Sequence, residues 1–242
     1  MRERHRFWQR ALRLLSLEIP REALSAFLDG EHSLHQEMWL RSLRKEKQQI
    51  DITIPLAEVP FVIIDMETTG FSPQQGDEIL AMAAAKTLNG IVKERYFTLV
   101  CPEKAIPPHI SALTGIQAKD VLHAPRLREA LRSFLSFIHG GVMIGYHIGH
   151  DLSFLRHFLW KYYRTKWAAR FFDMQPMVEM ILRCSCPTFD EALQYYEILC
   201  QKRHTADGDV EAMAKLWKVL LEELKQRNIE TLRDLYAALS MR

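Results

Sequence analysis

The pattern of apolar and polar positions divides the chain into a helical beginning and a longer region of mixed structure. Residues 1–50 carry apolar positions at helical spacing and close with the charged run RKEKQQ, which predicts an N-terminal helical extension. Residues 51–60 contain two prolines, Pro55 and Pro60, and read as a linker or an edge strand. From residue 61 the pattern changes, and we expect a separate domain over 61–242.

Apolar runs in this second region predict five strands. FVII and GVMIGYH show no polar alternation, which is typical of strands that are covered on both faces. Asn89-Gly90 stands between two apolar runs and is a strong hairpin signal, so we expect antiparallel strands over 79–88 and 91–100. ARFFDM is a candidate for a short fifth strand.

Amphipathic segments alternate with the later strands and then close the chain. The predicted helices are APRLREALRSFLSFIHG, HDLSFLRHFLWKYYR, TFDEALQYYEI, DGDVEAMAKLWKVLLEELKQ and ETLRDLYAAL. Three strands, a helix, a strand, a helix, a strand and further helices suit an α/β fold. We therefore expect a central mixed five-stranded sheet that is flanked by helices.

Composition narrows the class of protein without identifying it. The chain has 242 residues, 48% hydrophobic and 26% charged, which is ordinary for a globular protein. No apolar run approaches the ~20 residues of a membrane span, so we expect no membrane association. Four cysteines are too few and too scattered for a disulfide framework, which favours a cytoplasmic location. The net charge of +2 does not decide between classes of partner.

Carboxylates fall at the ends of the predicted elements. Asp65 and Glu67 end the first strand, Asp151 follows the fourth, and Asp209 lies near the start of a long helix, where Asp207 is a candidate N-cap. Four carboxylates in one place would repel one another and raise each other's pKa values, unless divalent cations were bound. Oxygen ligands of this kind suit Mg²⁺ or Mn²⁺ better than zinc.

Such a cluster would permit the hydrolysis of a phosphodiester. Two ions about 3.5–4 Å apart can clamp the phosphate, one activating water and the other stabilising the leaving oxygen. His204, five residues before Asp209, is a candidate general base because its pKa lies near neutrality. Spacing alone leaves a second interpretation open, in which these acids cap helices or face solvent.

Three motifs then resemble a known family. DMETTG (65–70), GYHIGHDLSFL (145–155) and HTADGD (204–209) resemble, in order, the motifs of the DEDDh exonucleases. This family includes the epsilon subunit of bacterial DNA polymerase III, oligoribonuclease and ribonuclease T, and the resemblance covers about 60–225. It implies a ribonuclease H-like fold and 3′→5′ removal of nucleoside 5′-monophosphates with two divalent ions.

The resemblance also implies a role for individual residues. Asp65, Glu67, Asp151 and Asp209 are similar to the four metal-binding carboxylates of the family. His204 is similar to the base that takes a proton from the attacking water.

A second set of positions is similar to the family's nucleotide-binding residues. Met66, Thr68 and Thr69 would hold the terminal nucleotide through their backbone and side chains. Leu113 and Ile116 are similar to an apolar wedge that presses against the last base.

Two histidines depart from the family pattern. His147 stands where asparagine is usual, and His150 stands where phenylalanine is usual. His147 could replace the hydrogen bonding of the asparagine, whereas His150 places a polar ring where an apolar one is expected. Neither change removes a predicted metal ligand, so we expect activity with a substrate preference that the sequence does not define.

Several alternatives stay open from the sequence. The substrate could be the 3′ end of single-stranded DNA or of RNA, and the partner a DNA polymerase or a second copy of the chain. A non-catalytic nucleic-acid-binding or assembly subunit is the competing function. A zinc site at Cys184, Cys186, Cys200 and His204 matches no common spacing. The segment WKYYRTKWAAR (160–170) is either a single-strand binding surface or a solvated helix end.

Overall fold

The computed structural model describes residues 50–167, 169–185 and 187–240. The predicted N-terminal helices, within residues 1–49, lie outside the described residues, as does Cys186. Among the helices of the described part, none is long and apolar enough to cross a membrane.

One mixed sheet organises the described chain, with strand order β3-β2-β1-β4-β5. The strands are β1 Phe61–Thr68, β2 Ile79–Leu88, β3 Ile91–Leu99, β4 Val142–Gly145 and β5 Phe171–Asp173. β1 pairs antiparallel with β2 and parallel with β4, so the chain's first strand becomes the centre of the sheet. The predicted five strands and the Asn89-Gly90 hairpin are confirmed.

Four strands end at the same edge of the sheet. β2 is antiparallel to both β1 and β3, so β1 and β3 run in the same direction, and β4 and β5 run parallel to β1. Thr68, Leu99, Gly145 and Asp173 therefore end their strands at one edge, which we call the carboxyl edge.

Eight helices are described around this sheet. They are α1 Pro108–Thr114, α2 Ala118–Val121, α3 Leu127–Ile138, α4 Gly149–Tyr163, α5 Met174–Leu182, α6 Phe189–Tyr195, α7 Ala206–Gln226 and α8 Leu232–Ser240. The amphipathic pattern predicted α3, α4, α6, α7 and α8 but missed the four-residue α2 and the longer α5. That helix follows β5 with no intervening loop, and the Asp173 side chain caps it by accepting from the Gln175 N–H at 3.0 Å.

The two faces of β1 explain its continuous apolar run. Phe61 and Ile63 belong to the core under α7, where the Phe61 ring meets Trp217 at 4.6 Å between centroids. Val62 and Ile64 belong to the core under α3 and α4. Burial of such a side chain contributes about 1.5–3 kcal/mol, so β1 is held firmly from both sides.

The segment before β1, predicted to be a linker or an edge strand, does not form an edge strand. It contains a 3-10 helix, Leu56–Glu58, and a single bridge between Pro55 and Thr231, and it adds no strand to the edge of the sheet. Leu56 and Val59 are buried, so this stretch packs against the domain as an irregular connection. Proline cannot donate to a strand ladder, which accounts for the absence of an edge strand here.

Candidate active site

The end of β1 presents two carboxylates toward α7. Side chains alternate along a strand, so Asp65 and Glu67 lie on the same face as Phe61 and Ile63. The pairing register with β2 shifts between Glu67 and Thr68, which ends the regular strand just past the acids.

The first turn of α7 brings the third carboxylate to that strand end. Thr205 is the N-cap, since its hydroxyl accepts from the Gly208 N–H at 3.3 Å and donates to the Lys202 carbonyl at 2.8 Å. The prediction that Asp207 is the N-cap was wrong. Asp207 lies within the first turn of α7 and pairs with Lys202 at 3.5 Å. Asp209 does lie in that first turn, as predicted.

Gly208 is required for this close approach of the turn to its neighbours. A Cβ at this position would lie 2.1 Å from the Lys202 backbone oxygen, a distance that real Cβ atoms do not reach. Any larger residue would displace the turn and move Asp209, its neighbour in the sequence.

Three of the four predicted ligands converge. One carboxylate oxygen each from Asp65, Glu67 and Asp209 lies within 4.8 Å of the others. Burial, followed by the charge of Asp151 and then of Glu67, raises the pKa of Asp65 well above its usual range. Burial, followed by the charge of Asp209, raises the pKa of Glu67 to about 7. A divalent cation fits this site, because oxygen is its preferred donor and the acids carry repulsion that a cation relieves.

Asp151 lies beside this group rather than within it. It is buried in the first turn of α4, and burial together with the charge of Glu67 raises its pKa. Its charge is also the largest Coulombic influence on the pKa of Asp65. The structure thus gathers three of the predicted carboxylates at ligand distance and places the fourth next to Asp65.

Arg203 is a member of the site that the sequence analysis missed. Its Nη1 lies 2.5 Å from Asp209 Oδ2, and its Nε lies 2.6 Å from Asp190 Oδ1. The guanidinium also lies 5.0 Å from the centre of the Phe189 ring. The available signal was a cation directly before HTADGD, beside two residues with predicted roles. Arg203 is a built-in counter-ion for the acidic group.

His204 lies next to Asp209 at the entrance to α7. It is half-buried and has a left-handed backbone, with φ of 59°, in the turn between Arg203 and the N-cap Thr205. Burial raises the pKa of Asp209, while Arg203, and after it His204, oppose that shift. The predicted base is therefore close enough to Asp209 to influence it electrostatically.

His150 ties the second motif to the first. Its Nε2 lies 3.2 Å from the Thr68 hydroxyl, which itself donates to the Gly70 carbonyl at 2.7 Å. A hydroxyl has one proton, so Thr68 must accept from His150, and the proton of the ring is on Nε2. The ring also meets Phe71 and Phe154 at 5.5 and 5.0 Å between centroids. A polar ring at this position is thus accommodated by aromatic neighbours and one hydrogen bond.

His147 connects the carboxyl edge to α5. Its backbone is left-handed, with φ of 55°, a conformation in which asparagine and histidine are enriched. Its N–H donates to Asp173 Oδ1 at 3.0 Å, and its Nε2 donates to Gln175 Oε1 at 3.0 Å. Histidine supplies hydrogen bonds at this position, in line with the expectation for a residue that replaces asparagine.

The predicted nucleotide-binding positions differ in exposure. Met66 is buried in the core, so only its backbone can face a ligand. Thr69 is fixed to the loop before β2, donating its N–H to the Glu78 carbonyl at 2.8 Å and accepting from the Glu78 N–H at 2.9 Å. Leu113 is 53% exposed on α1, whereas Ile116 is buried behind it.

The cysteines do not form the alternative zinc site among the described residues. Cys184 is exposed, and Cys200 is half-buried with its Sγ 3.7 Å from Asp209 Oδ1. In the part of the chain that the structure describes, the residues grouped closely enough to hold a metal are the three carboxylates.

Comparison with known proteins agrees with the geometry of the site. A family model for an exonuclease, RNase_T, matches residues 62–217. The DNA polymerase III subunit epsilon-like protein of Rhodobacter capsulatus is 34% identical over 189 residues, which cover 73% of this chain and 26% of the relative. The 3′-5′ exonuclease DinG of Bacillus subtilis is 29% identical over 180 residues, covering 72% and 19%.

A solved structure supports the same fold. The nuclease domain of 3′hExo, described as a DEDDh family member bound to rAMP, has a TM-score of 0.60 and 15% identity. The similarity covers 72% of this chain and 95% of that one. Because the family model matches well over half of the residues and all three motifs lie at the carboxyl edge, the chain belongs to the exonuclease family.

Proposed function

We propose that the protein is a metal-dependent 3′→5′ exonuclease that releases nucleoside 5′-monophosphates from single-stranded DNA ends. The observation that carries this proposal is the convergence of Asp65, Glu67 and Asp209 within 4.8 Å at the carboxyl edge. A candidate base, His204, lies on the turn that delivers Asp209.

The four acids Asp65, Glu67, Asp151 and Asp209 would hold two Mg²⁺ or Mn²⁺ ions. Their donor set, all oxygen and partly buried, suits these hard cations. When bound, the ions would supply charge neutralisation for a phosphodiester between them. His204 would accept the proton of the attacking water, since an imidazole is a base near neutral pH.

The terminal nucleotide would lie over the end of β1. The backbone at Met66, with Thr68 and Thr69, would face its sugar and phosphate, and the exposed Leu113 would contact its base, supported by the buried Ile116. Thr68 and Thr69 are each held by hydrogen bonds to other segments, which keeps the turn ready for a ligand.

The names of the relatives favour DNA over RNA. One relative is epsilon-like for DNA polymerase III, and the name of the other gives no nucleic acid, whereas the similar nuclease domain was solved with rAMP. The chain spans about a quarter or less of the length of those two relatives, so an association with a DNA polymerase or a second copy is also part of the proposal. An exoribonuclease is the second candidate, and a cytoplasmic location is expected for either.

The test uses DNA and RNA of one sequence, each labelled at the 5′ end, with Mg²⁺ or Mn²⁺. Progressive shortening of the labelled strand and release of mononucleotides would support a 3′→5′ exonuclease, and the faster substrate would assign the class. Asp209→Asn should abolish both signals. Asp207→Asn is the matched control, because that acid lies in the same helical turn and pairs with the exposed Lys202.

Two outcomes would reject the proposal. Wild-type protein that binds single strands but releases no mononucleotide with either ion would indicate a non-catalytic binding subunit. Equal activity in Asp209→Asn and wild type would place the catalytic site elsewhere.

A further inference from the structure

A second concave surface opens at the carboxyl edge beside the acidic site. It is a groove of about 600 Å³ between the loop before β2, the segment after β3, the start of α3 and the second half of α4. These walls are contributed by residues 73–79, 100–104, 126–128 and 157–162. We call this surface the strand groove.

The strand groove is continuous with the candidate nucleotide-binding turn. Glu78, in its near wall, forms two hydrogen bonds with Thr69: its carbonyl accepts from the Thr69 N–H at 2.8 Å, and its N–H donates to the Thr69 hydroxyl at 2.9 Å. Asp77, in the same wall, lies 3.4 Å from the Thr69 hydroxyl. A polymer whose end lay at Thr69 would therefore have this wall of the groove next to it.

The charges that face the groove are unequal in exposure. Four cationic side chains in its wall are exposed: Lys104, Arg126, Arg128 and Lys161. Asp77 and Glu78 are half-buried and turned to backbone N–H groups, Asp77 to Ser72 at 2.9 Å and Glu78 to Glu103 and Lys104 at 2.8 and 3.2 Å. Glu103 is the exposed acid of this wall, so the accessible surface is mainly cationic.

An aromatic pair lies beneath these cations. The Phe158 and Tyr162 rings stack at 6.0 Å between centroids with an angle of 16° between planes. Lys161 Nζ lies 5.7 and 5.6 Å from the two ring centres. Phe158 is buried and Tyr162 is partly exposed, so the outer ring offers a face to a ligand. Cations combined with an accessible aromatic ring are typical of surfaces that bind single-stranded nucleic acid.

We propose that the strand groove binds the single strand upstream of the 3′ end, several nucleotides from the bond that is cut. Lys161, Arg128, Arg126 and Lys104 contact its phosphates, and Tyr162 stacks on a base. The length is suitable, because Tyr162 follows His150, which contacts Thr68 of the candidate nucleotide-binding turn, by twelve positions along α4, a rise of ~18 Å. This inference rests on the proposed function and extends it to a second contact region for the same substrate.

The proposal accounts for only part of the basic and aromatic segment 160–170. Lys161 and Tyr162 face the groove, whereas Tyr163 and Trp167 are buried in the core. Trp160 and Arg164 form a separate contact, with the guanidinium 5.8 Å from the ring centre. Helical spacing divides the segment, so only part of it is available to a strand.

The experiment makes two measurements. One is the binding of an oligonucleotide that is long enough to reach the groove, and the other is the hydrolysis of a substrate that is too short to reach it. Binding is measured by the fluorescence anisotropy of a labelled oligothymidylate of about twelve nucleotides with Ca²⁺ in place of the active ion. Hydrolysis is measured on the p-nitrophenyl ester of thymidine 5′-monophosphate with Mn²⁺. The variant is Arg128→Glu/Lys161→Glu, and the matched control is Arg156→Glu/Lys166→Glu, which changes the net charge equally at exposed positions outside the groove.

We expect the groove variant to raise the Kd for the oligonucleotide roughly tenfold or more and to reduce its salt dependence, because two phosphate contacts are lost. Ester hydrolysis should stay within about twofold of wild type, and the control should bind within about twofold. Unchanged oligonucleotide binding in the groove variant, or an equal loss in the control, would overturn the inference.

The remaining outcomes are also decisive. If the wild-type protein bound a polyglutamate peptide but not the oligonucleotide, the groove would be assigned to an acidic protein partner, and the proposal of nucleic-acid binding would be rejected. A wild type that binds the oligonucleotide through the groove but hydrolyses neither substrate would reject the proposed function alone. Circular dichroism of the variants excludes loss of folding as the cause of weaker binding.

Discussion

The acidic site and the strand groove share the carboxyl edge but are built in opposite ways. The site places Asp65, Glu67 and Asp209 within 4.8 Å of one another, at the end of a strand that is buried on both faces. The groove spreads four exposed cations over three separate segments of the chain. Crowded buried acids are costly unless a cation binds, whereas dispersed exposed cations cost little and attract polyanions at a distance.

This difference in construction predicts a different role for each region. A cluster that is unfavourable without its cation can bind that cation tightly and act on the charge of a transition state. On our proposal, a groove of exposed cationic side chains would contribute affinity for a long substrate. Changes in the first region should therefore lower turnover on every substrate, and changes in the second should weaken binding of long substrates only.

The sharpest test of that division is Asp65→Asn. Loss of a carboxylate from the metal site should remove several kcal/mol of transition-state stabilisation, which is a fall in kcat of about 10³-fold or more. The fall should be similar for an oligonucleotide and for the p-nitrophenyl ester of thymidine 5′-monophosphate. Oligonucleotide binding with Ca²⁺ measures what remains of the groove, and retained ester hydrolysis would contradict the assignment of Asp65.

His204→Ala should have the next largest effect. A positioned general base contributes roughly 10²–10⁴-fold, so kcat should fall by that factor on both substrates, while Mn²⁺ binding measured by calorimetry persists. The wild-type rate should also fall in acid, because a protonated imidazole cannot accept a proton, and His204→Ala should lose that part of the pH dependence. A variant with the wild-type pH profile would show that a different group acts as the base.

The pH dependence of the protein's stability in the absence of metal should report on the acidic site and not on the strand groove. Burial and Asp209 raise the folded-state pKa of Glu67 to about 7 from an ordinary 4.5, so the folded protein binds more protons than the unfolded chain between those values. Stability in EDTA should therefore fall as the pH rises from about 4.5 to 7, by on the order of 2–3 kcal/mol after allowance for screening.

Thermal unfolding in EDTA and in Mn²⁺ across that pH range measures this effect. Mn²⁺ should raise Tm more at pH near 8 than near 5, because the ion binds the ionised carboxylates. Glu67→Gln should flatten the EDTA profile. A wild-type profile in EDTA that rises over this range would contradict the crowding of acids at this site.

The sequence predicted the acidic site better than it predicted the groove, for physical reasons. Asp65 and Asp151 follow apolar runs whose strand character is strong and local, and parallel strands bring their ends together. The N-cap Thr205 and the missed helix α5 depend on hydrogen bonds between residues that are close in the sequence. Several neighbouring side chains could have made the same bonds, so the sequence alone does not select among them. Arg203 was overlooked because its role depends on Asp190, thirteen residues away in the sequence. The groove was overlooked because its cations come from three separate segments.

Arg203→Gln tests the built-in counter-ion of the site. The variant leaves Asp209 among like charges and removes the cation that joins Asp190 of α6 to Asp209 of α7, so stability in EDTA should fall by about 1–3 kcal/mol. Mn²⁺ should restore part of the loss. Arg227→Gln is the matched control, since its partner Glu223 is four residues away on the same helix and such pairs contribute about 0.3–0.5 kcal/mol. Equal losses in chemical denaturation would show that Arg203 is an ordinary surface charge.

His150 gives the smallest expected effect and lies between the two regions. Its Nε2–H holds the Thr68 hydroxyl at 3.2 Å, so His150→Phe removes one hydrogen bond, worth about 0.5–1.5 kcal/mol, from the nucleotide-binding turn. KM for the ester should rise roughly two- to tenfold with kcat little changed. His150→Gln should recover most of this loss, because an amide N–H can reach the same hydroxyl. Equal KM values for Phe and Gln would mean that the ring acts through packing against Phe71 and Phe154 instead.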